Sequence, residues 1–253
     1  MSYFGNGKEG EKIFRGAYTY MRNTNIYSEE SFEVFRDKKE MTYTFVSELI
    51  SRVSTGELLN INTIYKINKD YTPLYVDINR SLGNSAVNEK YEFDMRRTRI
   101  NYTFTNNDGE RHNCELTTNP KFFITTSASC SSMLYLRSKK FDNTGKNYYT
   151  IFTSNNHWQF NEEPSVKNIV IQRISQTSES LKVGKSNLDA IQYKLTEQIL
   201  GNEDGPADPH APPAQENDIR IWCSQHMTIP YLIKDRDGTK IEVKYLNNLD
   251  KDQ

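Results

Sequence analysis

The clearest pattern of hydrophobic and polar positions lies near the C-terminus of the chain. Residues 219–224 alternate between apolar and other side chains, Pro230 opens a second apolar segment, and residues 241–245 alternate again. An Asp-Gly pair stands at 237–238, before the last of these segments. Such a pair between alternating segments is the strongest short-range signal of a β-hairpin. The pattern therefore predicts three strands in an antiparallel meander.

Alternation of the same kind recurs along most of the remaining chain. It predicts strands or strand pairs at residues 14–35, 41–45, 61–75, 91–104, 111–116, 147–158, 166–174 and 178–197. The segment TIYKINKDYTPLYVDI resembles IRIWCSQHMTIPYLIKD, since each has an alternating strand, a polar turn and a proline at the start of the return strand. Proline is tolerated there because the ladder does not yet need its missing N–H. We therefore expect one hairpin design to occur twice.

Residues 120–136 interrupt this rhythm. The segment FFITTSASCSSMLYL is apolar at both ends and has a centre of Ser, Thr and Ala, which predicts either a buried loop or one short helix packed across the sheet. The alternating segments amount to roughly ten or more strands, and almost no amphipathic helix is indicated. Because one-sided strands must close on themselves or cover their inner face, we predict a mainly β fold. It consists of a large curved antiparallel sheet that forms a half-barrel or open barrel, crossed by this short segment.

One domain is the expectation for 253 residues, because β-sandwiches and β-barrels often exceed roughly 200 residues as single units. Residues 1–11 are polar and contain glycine, and we interpret them as a flexible leader. Residues 12–249 are predicted to form the half-barrel domain. Within it, residues 201–217 hold four prolines and no apolar side chain larger than alanine, which predicts an exposed loop.

Composition narrows the functional classes. Hydrophobic residues make up only 36% of the chain, yet 16 Tyr and 12 Phe are present, and aromatic residues suit half-buried sheets. With 32 basic and 33 acidic residues there is no overall positive field to attract nucleic acid. No run of about 18 apolar residues predicts a transmembrane segment, and the N-terminus lacks the pattern of a signal peptide. We expect a soluble cytoplasmic protein, or a periplasmic one if the sequence is a trimmed mature form.

Metal and cofactor signatures are missing from the sequence. Cys114, Cys130 and Cys223 are far apart and form no CxxC pair, so a zinc or redox site is not predicted, and free buried thiols are the favoured interpretation. The four histidines show no HxH or HExxH spacing, and no glycine-rich phosphate loop opens a helix. We therefore predict no metal and no cofactor.

The order of features resembles a known family. The segments GAYTY, SEESFEV, IYKINKDYTPLYVDI, YLRSKK, a strand ending in HW, SESLKVGKSNLDAIQYKL and IWCSQHMTIPYLIKDRDGTKIEVKYL resemble the DUF3108-like group of β-rich bacterial proteins. That group is related in shape to the LolA, LolB and VioE half-barrels. The likeness covers roughly residues 12–249 and implies an open or flattened barrel with a hydrophobic concavity suited to lipids or other apolar molecules. Members usually carry an export signal, which this sequence lacks.

A few side chains are candidates for a site in that concavity. Histidine is the side chain most often used as a general acid or base, which makes His157 a candidate, and Trp158 beside it offers a stacking surface at the end of an aromatic strand. Tyr135 and Arg137 suit an anionic head group, and the alternative for Arg137 is an ion pair with Glu179 or another acid, or a solvated position. We predict ligand contacts from Tyr135, Arg137, Tyr149, Trp158 and Trp222, and we name His157 as the candidate catalytic residue.

Two functions fit these features. The first is binding or carriage of a hydrophobic small molecule, lipid-like or aromatic, in the concave face. The alternative is a cofactor-independent enzyme, either a lyase, an isomerase or a hydrolase, that acts on such a molecule with His157 as acid or base. The resemblance implies precedent for both on the same scaffold, and shape alone does not choose between them. A third interpretation is an interaction module that uses its sheet edges, and the sequence does not indicate an oligomeric state.

Overall fold

The computed structural model describes residues 9–119, 121–137, 140–198, 219–224 and 228–250. These residues form sixteen strands and two short 3-10 turns. The strands are β1 (Glu11–Arg22), β2 (Asn25–Asp37), β3 (Thr42–Arg52), β4 (Leu58–Asn68), β5 (Pro73–Leu82), β6 (Ser85–Asp94), β7 (Arg99–Thr105), β8 (Arg111–Thr117), β9 (Phe122–Ile124), β10 (Lys146–Thr153), β11 (Ser165–Arg173), β12 (Glu179–Val183), β13 (Ser186–Gln198), β14 (Ile219–Cys223), β15 (Pro230–Lys234) and β16 (Thr239–Asn248). The predicted mainly β fold is confirmed.

All of these strands belong to one curved sheet. Its order is β8-β7-β6-β5-β4-β3-β2-β1-β16-β15-β14-β13-β11-β10-β9, and β12 pairs with β13 beside this path. The N-terminal eight strands form a meander, and β1 also pairs with β16, which joins the meander to the C-terminal strands. Every pairing among the described strands is antiparallel except that of β9 with β10. The predicted repetition is also confirmed, because Pro73 and Pro230 each begin the return strand of a hairpin.

One face of the sheet can be followed across the join between its two halves. Ile221 of β14 lies opposite Ile233 of β15, Ile233 opposite Ile241 of β16, and Ile241 opposite Tyr20 of β1. Cross-strand partners point to the same side of a sheet. This row therefore marks a continuous inner face, on which the aromatic core of the molecule is built.

The two ends of the sheet overlap. Phe122 of β9 and Phe152 of β10 alternate with Phe123 and Ile151, which point to the inner face. Phe122 and Phe152 therefore point to the opposite face of the sheet. The Phe122 ring nevertheless lies 4.9 Å, between ring centroids, from Phe93 on the inner face of β6. The sheet is thus rolled so that β9 and β10 lie beneath the N-terminal meander, which gives a barrel-like body.

The crossing segment runs between the two halves of this rolled sheet. It consists of β9 and two 3-10 turns, Ser129–Ser131 and Leu134–Arg137. Cys130 packs with the N-terminal meander, whereas Met133 packs with the C-terminal strands. The prediction of a loop or short helix across the sheet is confirmed in outline. The parallel strand β9 was not predicted, because three apolar residues in a row show no alternation.

One predicted strand is shorter in the structure than expected. The strand predicted at residues 147–158 ends at Thr153, so His157 and Trp158 lie in the following loop rather than on a strand.

The three cysteines are free. Residues 1–8 of the expected leader and the whole expected loop 201–217 lie outside the described residues, and the division into one domain stays a prediction. No helix in the described ranges is long and apolar enough to span a membrane.

Candidate functional site

A pocket of about 230 Å³ lies between the crossing segment and the inner face of the C-terminal strands. Hydrophobic and hydroxyl side chains line it, and they come from five strands and from the crossing segment. The lining residues are Tyr65, Phe123, Ile124, Thr125, Thr126, Ser131, Ser132, Tyr135, Ile151, Ile169, Leu195 and Ile219. The pocket therefore combines an apolar wall with a hydroxyl-bearing wall.

The apolar wall follows from strand alternation. Ile151, Ile169, Leu195 and Ile219 come from β10, β11, β13 and β14 respectively, and Leu195 is the direct cross-strand partner of Ile219. Side chains at every second position of a strand point to one face. Each of the four strands thus presents an aliphatic side chain to the same space.

The hydroxyl wall comes from the crossing segment. Thr125 donates a hydrogen bond of 3.1 Å to the carbonyl of Phe152, and Ser132 donates one of 2.8 Å to the carbonyl of Ser129. Ser131 bonds to the carbonyl of Ala128 at 3.3 Å. These bonds satisfy backbone carbonyls where regular ladder pairing is missing, and they fix the wall in place.

Tyr65 of β4 closes one side of the pocket. Its side chain is only 2% exposed, and its hydroxyl oxygen accepts a hydrogen bond of 3.1 Å from the N–H of Ile124. Burial raises the pKa of Tyr65 well above its usual value. The phenol is therefore neutral at physiological pH and keeps a hydrogen that it can donate.

A buried carboxylate anchors the crossing segment to the N-terminal meander. Glu30 of β2 accepts hydrogen bonds from the N–H groups of Ser129, at 2.9 Å, and Cys130, at 3.3 Å. The hydroxyl of Tyr20 donates to the same carboxylate at 2.5 Å. Burial raises the pKa of Glu30, and these hydrogen bonds, which favour the charged form, lower it by less.

Sequence reasoning did not single out Glu30, although one signal was present. Ser28, Phe32 and Val34 occupy the inward positions of β2 around it, and all three are buried. An acidic residue in phase with the inward side chains of an alternating strand must be buried or must break the pattern. The same signal applies to Glu89 on β6, which is fully buried and forms an ion pair with Arg80.

The structure brings together two of the predicted site residues. The rings of Tyr135 and Tyr149 lie 5.0 Å apart, between centroids, and both pack against Phe123. Burial raises the pKa of Tyr149 to about 12. Tyr135 lines the pocket, whereas Tyr149 supports it from behind.

The other predicted residues do not line this pocket. Arg137 and His157 are exposed. Trp158 is half-buried and packs against the core of the meander. Trp222 alternates with the inward Ile221 and lies with its ring 5.5 Å from the ammonium nitrogen of Lys234. Their assignment to a site stays a prediction.

Within the described ranges, no three or more His, Cys, Asp or Glu side chains are grouped so that they could hold a metal ion.

Comparison with solved structures shows the fold. The chain is similar to a β-barrel-like protein of the domain of unknown function DUF1849 from Brucella abortus, with a TM-score of 0.57, 9% identity, and coverage of 95% of this chain and 99% of that one. A DUF1089 family protein from Pseudomonas aeruginosa matches with a TM-score of 0.44 and 10% identity over 85% of this chain and 87% of that one. A scan of protein-family models gives no match, and neither does a search of curated proteins. The β-barrel-like fold is thus confirmed, and the resemblance to the DUF3108-like group stays a prediction.

Proposed function

We propose that the protein binds a small hydrophobic molecule in the pocket between the crossing segment and the C-terminal strands. The observation that carries this proposal is the apolar wall of Ile151, Ile169, Leu195 and Ile219 facing a space of about 230 Å³. Ligand sites are typically concave and mostly apolar, with a few polar groups that orient the ligand. The hydroxyl wall supplies such groups.

The size of the pocket limits the ligand. Pockets for drug-sized molecules are usually about 300–1,000 Å³, whereas an apolar cavity of about 150 Å³ is enough for benzene. A space of about 230 Å³ therefore suits one aromatic ring with a short substituent, or a short acyl segment. Of the ligand classes expected from the sequence, these are the small aromatic and short lipid-like molecules.

Catalysis is not part of the proposal. The alternative enzyme requires His157 as acid or base, and His157 is exposed and does not line the pocket. A general acid or base must come within hydrogen-bonding reach of the group that it protonates or deprotonates. Replacing His157 by Ala should therefore leave ligand affinity unchanged.

The test is to narrow the pocket without disturbing the sheet. Leu195 is half-buried at the pocket wall, and Leu195→Trp should fill part of the space. Val166 on β11 is 51% exposed, so Val166→Trp is a matched control that adds the same side chain outside the pocket. Protein-observed NMR titration with ethylbenzene should shift signals of the lining residues, and Leu195→Trp should weaken binding by roughly tenfold or more, the cost of losing about one buried side-chain contact.

The control should bind ethylbenzene as the unmodified protein does. If small aromatic and short aliphatic probes leave the spectrum of the pocket residues unchanged, the proposed function is wrong.

A further inference from the structure

We propose that the pocket selects an uncharged ligand with a carbonyl-type oxygen, and that the Tyr65 hydroxyl is the group that donates a hydrogen bond to this oxygen. This inference rests on the proposed function and specifies the chemistry of the ligand. It follows from the hydrogen-bonding state of each hydroxyl in the pocket and from the absence of charge among the described lining residues.

Most hydroxyl hydrogens at the pocket are already used within the protein. Thr125, Ser131 and Ser132 each donate to a backbone carbonyl. With Ser131 donating in this way, Thr126 donates to the oxygen of Ser131 at 3.4 Å. The hydroxyl of Tyr135 donates to the sulfur of Met133 at 3.3 Å. Five of the six lining hydroxyls thus have an acceptor in the chain itself.

Tyr65 is the exception. Its oxygen accepts from the N–H of Ile124, and no described residue accepts its hydrogen. A buried donor without an acceptor is costly, so such groups are generally satisfied by protein, water or ligand. Because Tyr65 is 2% exposed and lines the pocket, an acceptor must come from the pocket side. A ligand oxygen with a free lone pair meets this requirement.

The ligand class follows from charge. The described lining residues are Tyr, Phe, Thr, Ser, Ile and Leu, none of which carries a charge at neutral pH. Transferring a carboxylate into such surroundings without a cation is strongly unfavourable. Arg137, which the sequence suggested as an anchor for an anionic head group, is exposed and not among the lining residues. The pocket therefore suits a neutral ketone, aldehyde or ester better than the corresponding acid.

Three probes of similar size test separately the effect of a carbonyl oxygen and the effect of a negative charge on binding. Acetophenone is a neutral ketone, ethylbenzene is its hydrocarbon counterpart, and benzoate is a carboxylate. Their dissociation constants are measured by NMR titration at pH 7.5 for the unmodified chain and for Tyr65→Phe, which keeps the ring and removes the hydroxyl. Tyr18→Phe is the matched control, because the Tyr18 hydroxyl is also buried and donates to the carbonyl of Pro230 at 2.8 Å, away from the pocket.

For the unmodified chain we expect binding of acetophenone and ethylbenzene, with benzoate at least about tenfold weaker than acetophenone. Tyr65→Phe should weaken acetophenone by about fivefold to tenfold, the equivalent of one hydrogen bond, and leave ethylbenzene within about twofold. Tyr18→Phe should leave both constants unchanged.

The outcomes also distinguish this inference from the proposed function. If ethylbenzene binds and Tyr65→Phe weakens the binding of neither neutral probe, Tyr65 is not the donor. This inference then fails, while the proposed function is not affected. Benzoate binding as tightly as acetophenone would overturn the preference for a neutral ligand. If none of the three probes binds, this inference fails, and if short aliphatic probes also leave the spectrum of the pocket residues unchanged, the proposed function fails with it.

Discussion

The hydroxyl of Tyr20 donates a hydrogen bond of 2.5 Å to the carboxylate of Glu30, and both side chains are buried on the inner face of neighbouring strands. The same hydroxyl lies 2.7 Å from the Ser129 oxygen, and Glu30 also accepts from two backbone N–H groups of the crossing segment. A single buried carboxylate thus joins β1, β2 and the segment that forms one wall of the pocket. These hydrogen bonds tie the crossing segment to the N-terminal meander and fix the wall.

The first prediction concerns the pH dependence of stability. Burial raises the pKa of Glu30 above its ordinary value of 4.5. Below pH 4.5 the folded and unfolded chains both hold the proton, and the contribution of this group is constant. As pH rises from 4.5 to the raised pKa, the unfolded chain releases the proton first, so stability falls over this interval and is level above it.

Glu30→Gln removes this titration. We therefore expect the free energy of unfolding of the variant, relative to that of the unmodified chain, to increase as pH rises through the interval. Denaturant unfolding between pH 4 and pH 8 measures this difference. Glu29→Gln, at the adjacent exposed position, is the control and should not show the same trend. Parallel profiles for Glu30→Gln and the unmodified chain would contradict the assignment.

Strand alternation made much of the sheet predictable from sequence. The hairpin that contains Pro230 and the Asp-Gly turn at 237–238 were predicted directly from the sequence, because turn chemistry and side-chain period are local properties. The position of β9 was not predictable, since it pairs in parallel with β10 across a gap in sequence. The overlap of the sheet ends brings together the Phe93 and Phe122 rings, which are distant in sequence and show no local signal of their contact.

The pocket was predictable only in part. Tyr135 was named, together with Arg137, as an anchor for an anionic head group, and it lines the pocket, whereas Arg137 does not. Tyr65 was not singled out from the sequence, because the state of its hydroxyl depends on the N–H of Ile124, 59 residues away. His157 was placed on a strand end because Tyr149, Ile151 and Phe152 suggested a longer strand. The chain leaves the sheet at Thr153 instead.

The second prediction concerns close packing between β1 and β2. Gly16 is the cross-strand partner of Phe32, whose ring occupies the space where a side chain at residue 16 would lie. An added methyl group would also be 2.9 Å from the carbonyl oxygen of Tyr245. Gly16→Ala should therefore destabilise the fold by about 1–3 kcal/mol, the usual cost of overpacking.

Combining Gly16→Ala with Phe32→Leu tests whether the Phe32 ring causes this destabilisation. The smaller side chain relieves the clash with the ring, so the double variant should be less destabilised than the sum of the two single variants, by thermal or denaturant unfolding. Additive effects would show that the Phe32 ring is not what excludes a side chain at Gly16.

The third prediction concerns the loop that carries His157. The Asn156 oxygen accepts from the N–H groups of Asn161, at 2.7 Å, and Glu162, at 3.2 Å, while its amide donates to the Tyr102 hydroxyl at 2.9 Å. Asn156→Ala should destabilise the loop by about 1–3 kcal/mol, because the buried Tyr102 hydroxyl and the two backbone N–H groups lose their partner. Amide hydrogen exchange at Asn161 and Glu162 should accelerate by about tenfold or more.

The adjacent residue supplies the control for this loop. Asn155 is exposed, and its side chain donates to the Glu162 carboxylate at 2.7 Å. Asn155→Ala should leave the exchange of both amides nearly unchanged, because solvent replaces an exposed hydrogen bond. Equal acceleration in the two variants would mean that Asn156 is not the residue that orders the loop.

The last prediction uses the three free thiols as reporters of the closed interior. Cys130 and Cys223 are fully buried, and Cys114 on β8 is half-buried. Burial, together with the charge of Glu163, raises the pKa of Cys114 to about 11, and burial raises the pKa of the other two thiols further. Because the thiolate is the reactive form, Cys114 should react with a disulfide reagent at pH 8 on the order of a hundredfold more slowly than a free thiol.

Cys130 and Cys223 should react only as fast as the fold opens, and all three should react at once in strong denaturant. Cys114→Ser should remove the earliest phase alone. If Cys130 or Cys223 in the native chain reacts as fast as Cys114, the crossing segment does not close the interior as described.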